Sequence, residues 1–511
     1  MNRPPDSTPD SSQNDQPYLT VIKLGRGQPS GHPLGALPPG KPGLVNGDDD
    51  GLDDGLDEDV SHLHSRGFLR SLSTSQVLII GFALIVAVGT LLLKLPWASA
   101  TGQPISWVEA LFTATSATTV TGLVVLNTAN DFSRFGQIVI LLLLQVGGVG
   151  FIAFSVLLFR LIGRRVGMEE RFIVQQTMGT GYVSGALDLA LYVLGVTLTL
   201  EAIGALLLWL RWRTVMPDGE ALWYAIFHAI SSFCNAGFDL FSGTDRGVLF
   251  GFGADWFTLL VMGGLILLGG FGIPVLYDLV RNLRRSRPLS LNTRITLLLT
   301  ALLTILGTSM MLMDGAIYRD VLSHLSFPEQ VTVSLFTIVS ARTAGLTILP
   351  LDQLSEATQL IILIWMFIGG APASMAGGVS SSTVGVLIIA VAATARGNTR
   401  AMSFGRTVPG ETIAKAVAIM TVSTLLVTVV TLILSLANEG EIFRVAFETV
   451  SAFANAGYSL NFTGELGTLG RLLIAFTMFW GRLGPLTIVV ALAQREHPTL
   501  YAYPEEPVML G

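Results

Sequence analysis

Charged residues are scarce in this chain of 511 residues: aspartate, glutamate, lysine and arginine make up 13% of it, against 51% for hydrophobic residues. Uncharged runs such as 77–93, 138–158 and 417–434 approach or exceed the roughly 20 residues that a helix needs to cross a bilayer. The sequence therefore predicts an all-α membrane protein that crosses the bilayer several times.

Cysteine and recognisable catalytic motifs are also nearly absent. Cys234 is the only cysteine, so the chain cannot form an internal disulfide and gives no signal about its redox compartment. The six histidines include no His-Glu-x-x-His pair, and no glycine loop ends in Gly-Lys-Ser/Thr. We therefore expect no enzyme, no cofactor held by this chain and no nucleic-acid binding. Any nucleotide control should come from another polypeptide.

The first 75 residues differ from the rest, because they are rich in Pro, Gly, Asp and Ser and carry an acidic run from Asp48 to Asp59. This composition predicts a disordered tail, which we interpret as solvated rather than as a partner-binding segment. No basic stretch followed by an apolar one begins at Met1, so we expect no cleaved signal peptide.

Four short segments share one pattern and end in a glycine, at intervals of roughly 110 residues. Glycine allows backbone carbonyls to approach an ion closely, and rings of carbonyls can replace the hydration shell of potassium. Four such glycines behind matched short helices favour a potassium selectivity filter over ordinary turns. The candidate ion-binding residues are Thr119, Val120, Thr121, Gly122, Asn235, Ala236, Gly237, Thr343, Ala344, Gly345, Asn455, Ala456 and Gly457.

The glycines divide the membrane part into four units, each predicted to contain a long helix, a short helix, the glycine loop and a second long helix. We place these pore repeats at 76–175, 176–288, 289–405 and 406–511, in a pseudo-fourfold arrangement around one pore. The short helices, near 107–118 and 221–233 in the first two units, are too short to cross a bilayer and should enter a protein-lined cavity. The third unit is one residue shorter between its serine and its glycine.

A second glycine motif follows each filter glycine, and we expect its small residues to line a cavity or to allow kinking. The four copies begin at Gly147, Gly269, Gly369 and Gly481. In the third copy, the run 369–383 contains proline and clustered glycines, so it should interrupt the helix and form an intramembrane gating loop. The candidate gating residues are Gly369, Gly370, Pro372, Gly377, Gly378 and Arg482.

Three buried charges are expected in or near the helices. Arg482 either presents a positive barrier below the filter, which we favour, or is a structural arginine satisfied by carbonyls. Arg342 either points behind the third filter segment and braces its short helix or biases ion occupancy. We favour the brace, since an unpaired cation in the path would repel the substrate. Glu201 is the main acid in a predicted long helix and should pack against a polar group.

Arginine clusters follow each of the first three units, which predicts that all three junctions face the cytoplasm. They include Arg160, Arg164, Arg165, Arg171, Arg281, Arg284, Arg285, Arg287, Arg294, Arg396, Arg400 and Arg406. The prediction is a multi-pass protein of the cell membrane with cytoplasmic N- and C-termini.

The filter segments, the interrupted run 369–383 and the segment 481–487 resemble those of the Trk/Ktr/HKT superfamily of potassium transporters. The resemblance covers residues 76–495, and the compact membrane part is more similar to the KtrB-type membrane subunit than to TrkH. It implies a homodimer, a cytoplasmic nucleotide-binding RCK regulatory subunit of the KtrA kind, and sodium as an activator. The long acidic tail and Leu346, where phenylalanine is frequent, depart from the family pattern.

The function predicted from the residues and the resemblance is potassium uptake through a gated, channel-like filter. A sodium-permeable transporter of the same superfamily remains an alternative. A secondary transporter with alternating access is a second alternative, although it would need coupling carboxylates that the predicted long helices nearly lack.

Overall fold

The structure is a computed structural model, and it describes residues 74–149, 186–243, 255–285, 288–318, 321–437 and 441–484. The predicted acidic run 48–59 and the last part of the predicted first repeat, 150–175, lie outside the described residues. So do the arginines from Arg160 to Arg171, and the segment 485–511 at the end of the chain.

The described residues are mostly helical, as the sequence predicts. In chain order the helices are α1 Thr74–Leu93, α2 Trp107–Thr118, α3 Arg134–Val149, α4 Ala186–Trp212, α5 Asp218–Phe233, α6 Trp256–Arg285, α7 Leu291–Tyr318, α8 Phe327–Ala341, α9 Glu356–Phe367, α10 Ser381–Ala395, α11 Gly410–Ala437, α12 Ile442–Ala454 and α13 Thr468–Leu483. A small antiparallel hairpin of β1 Met402–Ser403 and β2 Arg406–Thr407 connects α10 to α11.

Long apolar helices give the chain its membrane character. Within the described residues, four are long and apolar enough to cross a bilayer: Tyr192–Trp212, Trp256–Leu283, Leu291–Ile317 and Gly410–Ala437. Shorter apolar helices cover Ile79–Leu93, Arg134–Val149, Glu356–Phe367 and Ser381–Ala395. Much of the side-chain surface of these helices is apolar and exposed, as expected for residues that face lipid.

Four short helices, α2, α5, α8 and α12, lie between the longer ones and are buried over most of their length. Local signals set their starts: Ser106 caps α2 by accepting from the amide of Glu109, and the carboxylate of Glu109 accepts from the amide of Ser106. α2 has the predicted bounds, and α5 begins three residues before the predicted Ala221. Each carries a fully or almost fully buried phenylalanine four residues before the serine near its end: Phe112, Phe227, Phe336 and Phe447.

The helices pack in a cyclic order. Each short helix contacts the long helices that precede and follow it in the chain. It also contacts a long helix of the preceding unit: α3 packs on α5, α6 on α8 and α9 on α12, while α13 returns to pack on α2. The last unit is therefore a neighbour of the first, and the ends of the four short helices are brought together.

The helix of the third unit that follows its glycine is interrupted, as the sequence predicts. α9 ends at Phe367, and α10 begins after Ser380, whose side chain caps it by accepting from the amide of Thr383. The interruption is slightly shorter than the predicted 369–383, because Ser381 to Thr383 already belong to α10.

Candidate functional site

Four glycines with left-handed backbone conformation meet at the C-terminal ends of the short helices. Their φ angles lie between 65° and 87°, which only glycine adopts without strain. A Cβ atom on any of them would lie 2.3–2.6 Å from the carbonyl oxygen that precedes the glycine of another loop. Gly122, Gly237, Gly345 and Gly457 face the carbonyls of Ala236, Ala344, Ala456 and Thr121, in that order. The fourth contact returns to the first loop, so the four loops form a closed ring.

One main-chain hydrogen bond recurs in all four loops. The amide that precedes the glycine donates to the carbonyl of the serine near the end of the short helix, with N···O distances of 2.7–2.9 Å. The four serines are Ser116, Ser231, Ser340 and Ser451. Each loop is therefore folded back on its own helix end in the same manner.

The third loop, which is one residue shorter than the others between its serine and its glycine, also differs in backbone conformation. In the first, second and fourth loops, the residue two positions before the glycine is left-handed: Val120 at φ 58°, Asn235 at 57° and Asn455 at 50°. The corresponding residue of the third loop, Thr343, is not among the positive-φ residues. Asparagine tolerates this conformation, whereas a β-branched residue such as Val120 adopts it only with strain.

A cavity of about 500 Å³ lies on one side of the ring, and all four glycines line it. Two acidic residues also line it, Asp239 and Asp352. The amides of Phe241 and Ser242 donate to the carboxylate of Asp239, and the side chain of Asn461 donates to that of Asp352. Carboxylates held at the mouth of a cleft make its potential negative, which attracts cations.

Glu448 is a buried acid near this cavity that the sequence analysis does not single out. It lies in α12 and accepts hydrogen bonds from the hydroxyls of Ser459, at 2.7 Å, and Thr463. Both hydroxyl residues line the cavity, so Glu448 holds the segment that follows the fourth glycine. The available signal is that Glu448 is the only acid in this short helix.

The second glycine motif has a further role besides the predicted cavity lining, in which Gly270 and Gly370 take part. A Cβ atom on Gly147, Gly269 or Gly481 would lie 1.9 Å from a carbonyl oxygen at the end of a short helix. These carbonyls belong to Thr118, Phe233 and Phe453. In these three motifs the first glycine therefore lets a long helix touch the end of the short helix that precedes it in the chain.

The predicted kinking is present in α6. Gly272 has φ 69° and ψ 163° within the helix, and Pro274 follows it. Because proline has no amide hydrogen, the carbonyl of Gly270 loses its normal helical partner. The interrupted segment of the third unit supplies replacements: the amide of Ala371 donates to Gly270, and the amide of Met375 donates to Gly269.

Five of the six predicted gating residues, all but Arg482, lie in this segment, which is bonded on several sides. Gly369 donates its amide to Val379, and the amide of Ser381 donates to Gly370. Gly378 has a φ angle of 73°, and a Cβ atom on Gly377 would lie 2.1 Å from Oδ1 of Asn455 in the fourth loop. Pro372 falls within the same segment. The segment therefore lies directly against the ring of loops.

Arg482 joins this segment to α3. Its guanidinium group donates to the carbonyl of Met375 in the segment and to the carbonyls of Gly147 and Gly148. The arginine is thus satisfied by carbonyls, as the second interpretation expects, and it keeps the positive charge that the first requires. The contacts also show that the one charge links three parts of the chain that are far apart in sequence.

Arg342 is buried at the end of α8 and donates from Nη2 to the carbonyl of Gly369 at 3.1 Å. It also lines a small cavity together with Gly270 of α6 and Thr300 of α7. Its guanidinium group therefore contacts the start of the interrupted segment. This is the position expected of a brace, although the partner is that segment rather than α8 itself.

Glu201 packs against polar groups, as the sequence predicts. Its carboxylate accepts from Nε2 of Gln145 at 3.0 Å and from the thiol of Cys234 at 3.6 Å. The contact joins α4 to α3 and to the end of α5.

Comparison with known proteins identifies the family. The family described as "TrkH: Cation transport protein" matches residues 62–500. The chain belongs to this family. Its members are cation transporters, so membership confirms that the chain is a multi-pass membrane transporter and not an enzyme.

This TrkH-family chain aligns with two relatives over almost the full length of each relative. Ktr system potassium uptake protein B of Bacillus subtilis is 36% identical over 85% of the chain and 96% of the relative. Potassium/sodium uptake protein NtpJ of Enterococcus hirae is 33% identical over 86% of the chain and 98% of the relative. The resemblance to KtrB-type subunits is therefore confirmed.

A solved structure agrees with the fold. The potassium transporter TrkH from Vibrio parahaemolyticus superimposes with a TM-score of 0.66 at 17% identity, covering 84% of this chain and 86% of that one. At this identity the likeness concerns the fold alone.

Proposed function

We propose that the four units surround one pore in a pseudo-fourfold arrangement and that the four glycine loops are its selectivity filter. The observation that carries the proposal is the closed ring, in which each glycine faces a carbonyl of the next loop. Carbonyls held in this way can replace the water around a cation. The filter would consist of residues 119–122, 235–237, 343–345 and 455–457.

The ion that this filter selects is potassium in our proposal, with the membrane potential driving uptake. Supporting this choice, one relative is named as a potassium uptake protein, and all four ring positions are glycine. Sodium permeation is the second candidate, since another relative is named as a potassium/sodium uptake protein. The ion is the substrate, and sodium is also proposed as an activator.

The segment between α9 and α10 would act as the gate, and the hydrogen bond from Arg482 would hold this segment in its closed position, as a latch. It lies against the ring, and its amides and carbonyls are bonded to α6 and to Arg482. A hydrogen-bonded segment without helical structure can move without breaking a helix. The positive charge of Arg482 would add a barrier to cations when the segment is closed.

The remaining parts of the proposal rest on the family. The chain would form a homodimer with one pore per protomer and bind a cytoplasmic RCK regulatory subunit of the KtrA kind. The termini and the arginine-rich junctions would be cytoplasmic, so the 500 Å³ cavity would open outward.

Uptake measurements test this function directly. Cells without their own potassium uptake systems would express the chain with or without an RCK subunit, at low and high sodium. Rescue at micromolar to millimolar potassium is expected, and Gly457→Ala should abolish it because its Cβ would lie 2.3 Å from the carbonyl of Thr121. Gly467→Ala is the matched control, since no atom lies within 4 Å of its Cβ position. Sodium uptake without potassium uptake, by a chain confirmed in the membrane, would contradict the selectivity.

A further inference from the structure

Asn235, two residues before the second glycine, joins its own unit to the next loop. The groups around its side chain assign the amide nitrogen to the side of two carbonyls, so that it donates to Ser232 at 3.0 Å and to Ile266 at 3.1 Å. In this orientation the hydroxyl of Thr343 donates to its oxygen at 3.3 Å. The side chain therefore touches α5, α6 and the third loop.

Asn455, two residues before the fourth glycine, makes the corresponding contacts. Its nitrogen donates to the carbonyl of Met478 at 2.9 Å and to the hydroxyl of Thr121 at 2.8 Å. Met478 and Ile266 both lie three residues before the first glycine of the second motif. An asparagine–threonine bridge therefore occurs twice, between the second and third loops and between the fourth and first. The amide oxygen accepts from Thr343 in one case, and the amide nitrogen donates to Thr121 in the other.

The left-handed backbone explains why asparagine can form this bridge. Both asparagines have φ angles near 50–57° and are almost fully buried. The residue at the same place in the first loop is Val120, which has no polar group, and the third loop is one residue shorter. Within the described residues, the bridge thus occurs at only two of the four loop junctions.

The other two junctions are joined on the opposite side of the glycines, among residues that follow them in the chain. Asn127 donates to the carbonyl of Ser242 at 2.6 Å across the junction of the first and second loops. Tyr458 donates to the carbonyl of Leu346 at 3.3 Å across the junction of the third and fourth. The attachment of neighbouring loops therefore alternates around the ring between its two sides.

We infer that Asn235 and Asn455 are positioning residues that set ion discrimination by holding the loops of two junctions at a fixed separation. The inference rests on the proposed filter. Neither side chain contributes a ring carbonyl, and each acts through the threonine of the next loop. Release of a bridge would let adjacent carbonyls move apart or together and adapt to a smaller ion, so sodium would be rejected less strongly.

The threonines provide the sharper test, because their replacement removes the bridge and leaves the asparagine bonded to its own helices. Thr343 is the cleaner of the two, since the hydroxyl of Thr121 also bonds to that of Thr119 in its own loop at 2.7 Å. Thr343→Val and Thr121→Val keep the side-chain shape and remove the hydroxyl. Thr343→Ser and Thr121→Ser keep the hydroxyl and should restore wild-type behaviour. Thr449→Val is the matched control, since Thr449 is equally buried in α12 and its hydroxyl bonds only to the carbonyl of Val445 in the same helix.

The measurement is the ratio of initial rubidium to sodium uptake rates, in cells that lack their own uptake systems and co-express an RCK subunit. One net hydrogen bond corresponds to about a fivefold effect, so each valine variant should lower the ratio about fivefold. The double variant should lower it about 25-fold, because the two bridges are separate.

The outcomes separate the inference from the proposed function. Suppose that the wild-type chain transports potassium and that both valine variants are expressed normally. If the variants then keep the wild-type rubidium-to-sodium ratio within twofold, the inference is overturned and the proposed function stands. The same loss of discrimination in Thr449→Val would also overturn it, because any buried hydroxyl would then suffice. If the wild-type chain transports neither ion, the proposed function fails and the inference falls with it.

Discussion

Gly269 should be intolerant of alanine even though alanine is the better helix former. Its Cβ would lie 1.9 Å from the carbonyl oxygen of Phe233, whereas real contacts are not closer than 3.0 Å. α6 would therefore have to move away from the end of α5 by about 1 Å, which is an overpacking cost of about 1–3 kcal/mol. The gain in helix propensity offsets at most about 1 kcal/mol of that cost.

Gly264 of the same helix is the matched control. No atom outside its own helix lies within 4 Å of a Cβ placed there, so Gly264→Ala should be neutral or stabilise by up to about 1 kcal/mol. The two variants add the same methyl group to one helix and differ only in what that group meets. Gly269→Ala should therefore be the less stable of the two by about 1–3 kcal/mol.

Thermal stability of the detergent-purified protein measures this difference. At about 2–4 °C per kcal/mol, Gly269→Ala should melt several degrees below Gly264→Ala when fluorescence-detected size exclusion follows the loss of the folded peak. Since unfolding of a membrane protein is commonly irreversible, both variants must be heated at the same rate. Equal melting temperatures would refute the argument that α6 depends on this close approach.

Three further predictions follow from contacts in the site. Gly122→Ser should weaken the rejection of sodium, because the Cβ of the serine would lie 2.6 Å from the carbonyl oxygen of Ala236. Uptake of potassium in competition with sodium measures this change. The exposed, equally left-handed Gly102, substituted by serine, serves as its control. Arg482→Gln should raise uptake in the absence of the regulatory subunit, because the interrupted segment loses a charged donor; unchanged basal flux would exclude the latch. The hydrogen bond to Ser106 lowers the pKa of Glu109 in the folded protein. The ionised carboxylate of Glu109 therefore stabilises the fold fully above its unfolded-state pKa, and this stabilisation is lost as the pH falls through the lower folded-state pKa. Melting of Glu109→Gln and wild type across pH 3–7 should converge at the acid end.

The repeated parts of this molecule could be predicted from sequence because their signals are local. The short helix 107–118 has a capping serine, a run of small residues and a terminal glycine loop, all within 20 residues. The interruption after Phe367 follows from proline and glycine, which do not continue a helix. These features depend on residues that are neighbours in the chain.

The contacts between units could not be predicted in this way. The bridge from Asn455 to Thr121 joins residues 334 positions apart, and it depends on the register at which the last loop meets the first. The sequence shows only that Gly147 is small, which predicts cavity lining or kinking but not its close approach to Thr118. The partners of Arg482 were likewise left open, since a buried cation can be satisfied by several arrangements of carbonyls.

Only one of the four units carries an arginine at the position of Arg482, and this is possible because the four units belong to one chain and need not be identical. In an assembly of four identical subunits, an arginine at this place would be repeated fourfold, and like charges so close together in a medium of low polarity would repel each other strongly. Here the corresponding positions are Gly148, Gly270 and Gly370, so one guanidinium group meets carbonyls that are free to receive it. In the proposed pore, joining the repeats in one chain would therefore let the ion path carry a single, asymmetric charge that a symmetric assembly would exclude.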